Sequence, residues 1–62
     1  MSERQLRILT LLRRDIKVST STLAAEVDAP EASVRRDIQV LRRQGYSIGY
    51  ATDDGLYRYY GA

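Results

Sequence analysis

Cysteine and histidine are both missing from this 62-residue chain. Without cysteine there is no disulfide staple and no thiolate nucleophile. Without either residue the usual zinc ligands are gone. A reducing, intracellular setting is compatible with that composition. Long apolar runs are missing too, and nothing approaches the roughly 20 residues of a membrane span. The opening stretch, MSERQLRILTLLRRD, holds no uninterrupted apolar core and no small-residue cleavage site, so it does not read as a signal peptide. No hydroxyl has an obvious activating base, and Asp53 and Asp54 are neighbours on a turn rather than facing carboxylates. Enzymatic activity is therefore not expected, nor is a metal, a cofactor or a small-molecule ligand within the chain.

A strong charge imbalance is also lacking. Ten Lys and Arg oppose eight Asp and Glu, for a formal charge of +2. All but Lys17 of the basic residues are arginine, whose forked donors suit phosphate and guanine. A GC-rich genome would enrich arginine as well, so position must decide between the two explanations. A chain this short is one domain or part of one, at a size where stability is marginal.

Residues 2–15 read as a helix. With Leu9 at zero and about 100° per residue, Gln5, Leu6, Ile8, Leu12 and Ile16 lie within roughly 100° of one direction. Arg4, Arg7, Thr10 and Arg14 lie opposite, and Leu11 points away from the apolar stripe, as a dimer contact would. Lys17 and Val18 are short and extended. Ser19 or Thr20 is suited to cap a two-turn helix over about 20–27, with Leu23 and Val27 on one face. DAP breaks that helix, and Pro30 starts the next, which runs over about 31–44 to a stop at Gly45. From Tyr46 the period becomes two. Asp54-Gly55 is a hairpin signal, and residues 46–60 read as a two-stranded β-hairpin. Tyr46, Ile48 and Tyr50 share one face of the first strand; on the second, Tyr57 and Tyr59 lie opposite Leu56, Arg58 and Tyr60. Alternate tyrosines here suit a cover for the helical core better than a base-stacking platform.

This order of elements resembles a winged helix-turn-helix, a mainly α (α+β) fold of three helices and a hairpin wing, here a single domain over residues 1–62. LRILTLLRRD resembles its first helix, VSTSTLAAEVDAPEASVRRDIQVLRRQG its helix-turn-helix and SIGYATDDGLYRYY its wing. The LA pair followed by SVRRDIQVLRRQG is similar to the N-terminal domain of DeoR-type transcriptional regulators, and to the related domains of biotin protein ligases and WYL-domain regulators. The resemblance covers nearly the whole chain. It implies double-stranded DNA as partner, a regulatory role such as repression, a homodimer on DNA and a cytoplasmic location. Two positions depart from the family pattern. Pro30 stands where a capping serine is usual, and the wing tip carries Asp53 and Asp54, which repel phosphate, where glycine and basic residues are usual. DeoR-type regulators also carry a large sugar-phosphate-sensing domain, for which 62 residues leave no room; the expectation is either an excised domain or a small stand-alone regulator, with the Met1 start and short end leaning toward the latter.

The third helix sorts its own residues. With Val34 at zero, Ile38 (about 40°) and Leu41 (about 340°) complete a core stripe. Arg36 (about 200°), Arg43 (about 180°), Ala32 (about 160°) and Gln39 (about 140°) face away, while Arg35 and Arg42 lie on a flank. The functional reading directs Ala32, Arg36 and Gln39 to base edges in the major groove, arginine matching guanine and glutamine matching adenine. Ser33, Arg35, Arg43, Lys17 and Arg58 are then candidate phosphate contacts, with Arg7 and Arg14 as further ones. The competing reading is a solvated helix face: Glu31 is placed to pair with Arg35, and Arg42 and Arg43 suit the helix dipole. Asp37 has no cation three or four residues away and needs a partner elsewhere. Other functions remain in play: a protein-interaction module, favoured by Leu11, Val40 and the acidic tip, or the DNA-binding piece of a larger protein.

Overall fold

The computed structural model describes residues 1–61. Short hydroxyl residues begin the first two helices. Ser2 opens α1 (Glu3–Asp15): its hydroxyl accepts from the Gln5 N–H, and the Gln5 side chain accepts from the Ser2 N–H, a reciprocal capping box. The chain leaves α1 at Ile16 and passes through β1 (Lys17–Ser19). Ser19 then caps α2 (Thr20–Val27), accepting from the Thr22 N–H at 3.1 Å. Asp28 closes α2 in the left-handed conformation, donating its N–H to the Ala24 carbonyl. Pro30 begins α3 (Glu31–Arg43) with no side-chain cap, its ring fixing φ at −61° instead.

Gly45 ends α3. At φ +103° it lets its N–H reach the Arg42 carbonyl (3.0 Å) while the Tyr46 N–H reaches the Leu41 carbonyl (3.2 Å). These two bonds form a Schellman motif, which satisfies carbonyls that the helix end leaves bare. Strands β2 (Ser47–Ala51) and β3 (Leu56–Gly61) follow, joined by a loop over residues 52–55 that the Gly55 N–H closes onto the Ala51 carbonyl at 2.9 Å.

The sheet has three strands in the order β1-β3-β2, antiparallel throughout. The expected two-stranded hairpin is thus incomplete: β1 adds to it, with Val18 opposite Tyr57 and Lys17 opposite Arg58. Extended backbone at Lys17 and Val18 is visible locally, but its partner lies far along the chain. Every element contributes to one core: Ile8, Leu9, Leu12, Val18, Leu23, Val27, Val34, Ile38, Leu41, Ile48 and Tyr57 are buried. Burying each full aliphatic side chain stabilises by about 1.5–3 kcal/mol.

Helix α1 corrects part of the expected stripe. Leu6 and Ile16 are more than half exposed, whereas Leu11 packs against the core. The buried direction centres on Leu12 rather than Leu9, which turns Leu11 inward and Leu6 outward. Ile16 falls outside the helix altogether. Leu11 is therefore not the outward leucine of a dimer surface. Val40 is half-buried. On the hairpin, Tyr57 and Tyr59 do face the core and Tyr60 faces water.

Candidate nucleic-acid interface

Three attachments fix α3, and each leaves the opposite side of the helix bare. Val34, Ile38 and Leu41 are fully buried along one stripe. Asp37, 4% exposed, receives a bidentate ion pair from Arg4 of α1, whose second contact is 3.2 Å, and a hydrogen bond from the Gln5 amide at 3.2 Å. Burial penalises the Asp37 carboxylate. The bonds from Arg4 and Gln5, with the charges of Arg4 and Arg36, outweigh that penalty and hold its carboxyl below the usual range. At the other end, Arg42 donates to the Ile48 carbonyl at 2.7 Å and lies 6.0 Å from the Tyr57 ring centre, clamping the sheet to the last turn of α3.

Ala32, Arg36, Gln39 and Arg43 are all exposed on the side facing away from these anchors. Among the described residues, no ion pair uses Arg36, Arg43 or Lys17. Arg36 and Arg43 stand about 10 Å apart along the axis, given a rise of about 1.5 Å per residue. Ser33 is half-buried near the helix start, its N–H donating to the Pro30 carbonyl at 3.0 Å. Arg35 is held by Glu31 at 3.4 Å, a largely exposed pair whose worth is about 0.3–0.5 kcal/mol. Little opposes its exchange for a phosphate.

Other cations named from the sequence are engaged within the molecule. Arg7 donates to the Glu26 carbonyl at 2.8 Å, tying α1 to the last turn of α2. Arg14 pairs with Asp15. Arg58, on the central strand, donates to Asp54 at 2.6 Å across the hairpin loop. Burial again opposes the Asp54 charge, but the Leu56 N–H, Arg58 and Lys17 lower its carboxyl below the ordinary value. Arg4 and Arg42, which hold α3 in place, go unrecognised in sequence because their partners sit far away in the chain or on backbone carbonyls. An acidic turn residue with a cation four positions on, in the following strand, as in Asp54 and Arg58, is closer to a readable signal.

Among the described residues no group of carboxylates is placed to hold a metal, and no helix is long and apolar enough to cross a membrane. The arrangement defines a class: two helices joined by a tight turn, the second anchored by its inner face and displaying arginine outward, backed by a first helix and a small sheet. That is a helix-turn-helix domain in winged-helix form. The family model of the DeoR-like helix-turn-helix domain matches residues 4–49, and the chain belongs to that family. DNA binding is its activity, and its members are typically not enzymes. No curated protein and no solved structure matches the chain. The family match ends inside β2, so the acidic loop and β3 lie beyond it.

Proposed function

We propose that this chain is a sequence-specific binder of double-stranded DNA that controls transcription by inserting α3 into the major groove. The observation that carries this reading is the row formed by Ala32, Arg36, Gln39 and Arg43. These side chains are exposed on the face of α3 opposite its buried stripe, and among the described residues neither arginine is spent on an ion pair. Arg36 and Gln39, nearer the helix start, read base edges; Arg43, further along, and Arg35, once released by Glu31, hold phosphates. Ser33 and Lys17 contribute further phosphate contacts from the flanks, and Arg58 does so where it can leave Asp54. One helix offers few base contacts, so the chain works as one winged-helix unit in a homodimer on repeated half-sites, associated with DNA inside the cell.

The test begins with a labelled duplex titrated at several salt concentrations. Affinity should fall with salt along a log–log slope of about −3, as expected for roughly three or four neutralised phosphates per copy. Sites selected from a random pool then permit a sharper comparison. Arg36→Ala should cost about 1–3 kcal/mol on the selected site and far less on random duplex. Equal losses on both would make Arg36 a phosphate contact and remove the base-reading role. Arg43→Ala should weaken all sequences alike and reduce the slope by about one.

A further inference from the structure

The sheet carries two cations, Lys17 on β1 and Arg58 on β3, directly opposite each other on neighbouring strands. Like charges so placed repel. Asp54 reaches back from the loop and takes the Arg58 guanidinium at 2.6 Å, while its other carboxylate oxygen accepts the Leu56 N–H at 3.0 Å. Arg58 is left with Nη1 buried and without a partner among the described residues, so its donors are not all used. The pair is partly exposed, 22% at Arg58 and 38% at Asp54, and can exchange with a competing anion. The sheet holding it is clamped to α3 through Arg42 and the Ile48 carbonyl, so this hairpin keeps a fixed position relative to α3. Asp53 adds a second, exposed carboxylate at the same loop.

We propose that the Asp54 carboxylate stands in for a DNA backbone phosphate on Arg58, keeping the wing's cation out of the contact and limiting the affinity of the domain for any duplex. The inference rests on the reading of duplex DNA as the ligand. A carboxylate and a phosphate oxygen make the same charge-assisted bond to guanidinium, so the two compete for one donor set. The loop geometry supplies the carboxylate within the molecule, and Asp53 disfavours the phosphate that would displace it.

Asp54→Asn separates these roles. The asparagine oxygen still accepts the Leu56 N–H and keeps the loop, but an NH2 group replaces the oxygen that binds Arg58. Binding is read by fluorescence anisotropy of a labelled random-sequence duplex, from about 50 to about 200 mM salt. D54N should bind more tightly than wild type with a slope steeper by about one, so that its advantage shrinks about threefold across that range. Adding Arg58→Gln to D54N should return the slope to the wild-type value. An unchanged slope in D54N, or a gain that survives Arg58→Gln, overturns the proposal, because Arg58 would then not be the cation that Asp54 withholds; so does an equal steepening in Asp53→Asn, which changes the net charge by the same amount without touching Arg58. Wild-type binding with D54N unchanged sinks only this inference; no duplex binding by either protein sinks the DNA reading with it. Should D54N melt unlike wild type, Asp54→Ser, which keeps an acceptor for the loop, replaces it with the same expected outcomes.

Discussion

Ile16 carries the least comfortable backbone in the molecule. It is β-branched, it sits at φ +67° and ψ −46°, and more than half of its surface faces water. Its N–H donates to the Leu12 carbonyl at 2.8 Å and its carbonyl accepts the Tyr59 N–H at 2.9 Å, so the conformation is imposed from both sides. A side chain held there costs about 1–3 kcal/mol. Ile16→Gly removes that cost but frees the unfolded chain and discards a partly buried side chain. The net gain should be about 0.5–1 kcal/mol, which in a domain this small raises Tm by roughly 3–6 °C. Ile16→Ala keeps the Cβ and the strain and should give no gain in a thermal melt. A lower Tm for the glycine variant would show that the isoleucine packs to more effect than its exposure suggests. From sequence alone this residue joins the apolar stripe of the first helix, because its angle fits. Only the sheet contact explains why the helix stops one residue before it.

Between elements, the joint that matters most is α1 against α3, where Asp37 meets Arg4 and Gln5. Asp37 is nearly enclosed, whereas Arg4 keeps 43% of its side chain in water. Asp37→Asn therefore leaves Arg4 able to rehydrate, and the expected loss at neutral pH is about 1–3 kcal/mol, below the cost of stranding a fully buried charge. The pH dependence follows from the lowered carboxyl of Asp37. A carboxyl that is more acidic folded than unfolded stabilises above its unfolded pKa of about 3.9, and that contribution is lost as pH falls through the folded value. Urea midpoints should hold from pH 7 to about pH 5 and drop in more acidic solution, and D37N should flatten the drop. An equally steep fall in D37N would assign the acid sensitivity to Asp54 and Asp15, whose carboxyls are also lowered. Much at this scale is legible in sequence. Ser19, Gly45 and the Asp54-Gly55 pair mark element ends through local chemistry, and the outward row of α3 follows from period alone. The missing partner of Asp37 is legible as a need, but Arg4 is not legible as the answer, since thirty-three residues separate the two. The strand pairing of β1 fails for the same reason, while the Arg42 clamp spans only six residues but ends on a backbone carbonyl, which no side-chain pattern announces.

For the molecule as a whole, net charge is too small to bring it to DNA unaided; a formal +2 leaves placement to do the selecting. Its dimensions set the next constraint. The backbone spans 28 × 24 × 19 Å, slightly less than the roughly 34 Å between major grooves on one face of a duplex. Two copies on half-sites one turn apart would leave a gap that side chains can bridge, whereas copies half a turn out of phase would face opposite sides and never meet. Duplexes carrying two selected half-sites at centre spacings of about 10 and about 15 base pairs discriminate these cases. The shorter spacing should bind the second copy more tightly than the first, and the longer should bind both independently, with mobility shifts reporting each occupancy. Cooperative binding at both spacings would place the contact elsewhere than between neighbouring copies. Independent binding at both would leave Arg36 and Gln39 to specify a single half-site, and the homodimer would have to be abandoned.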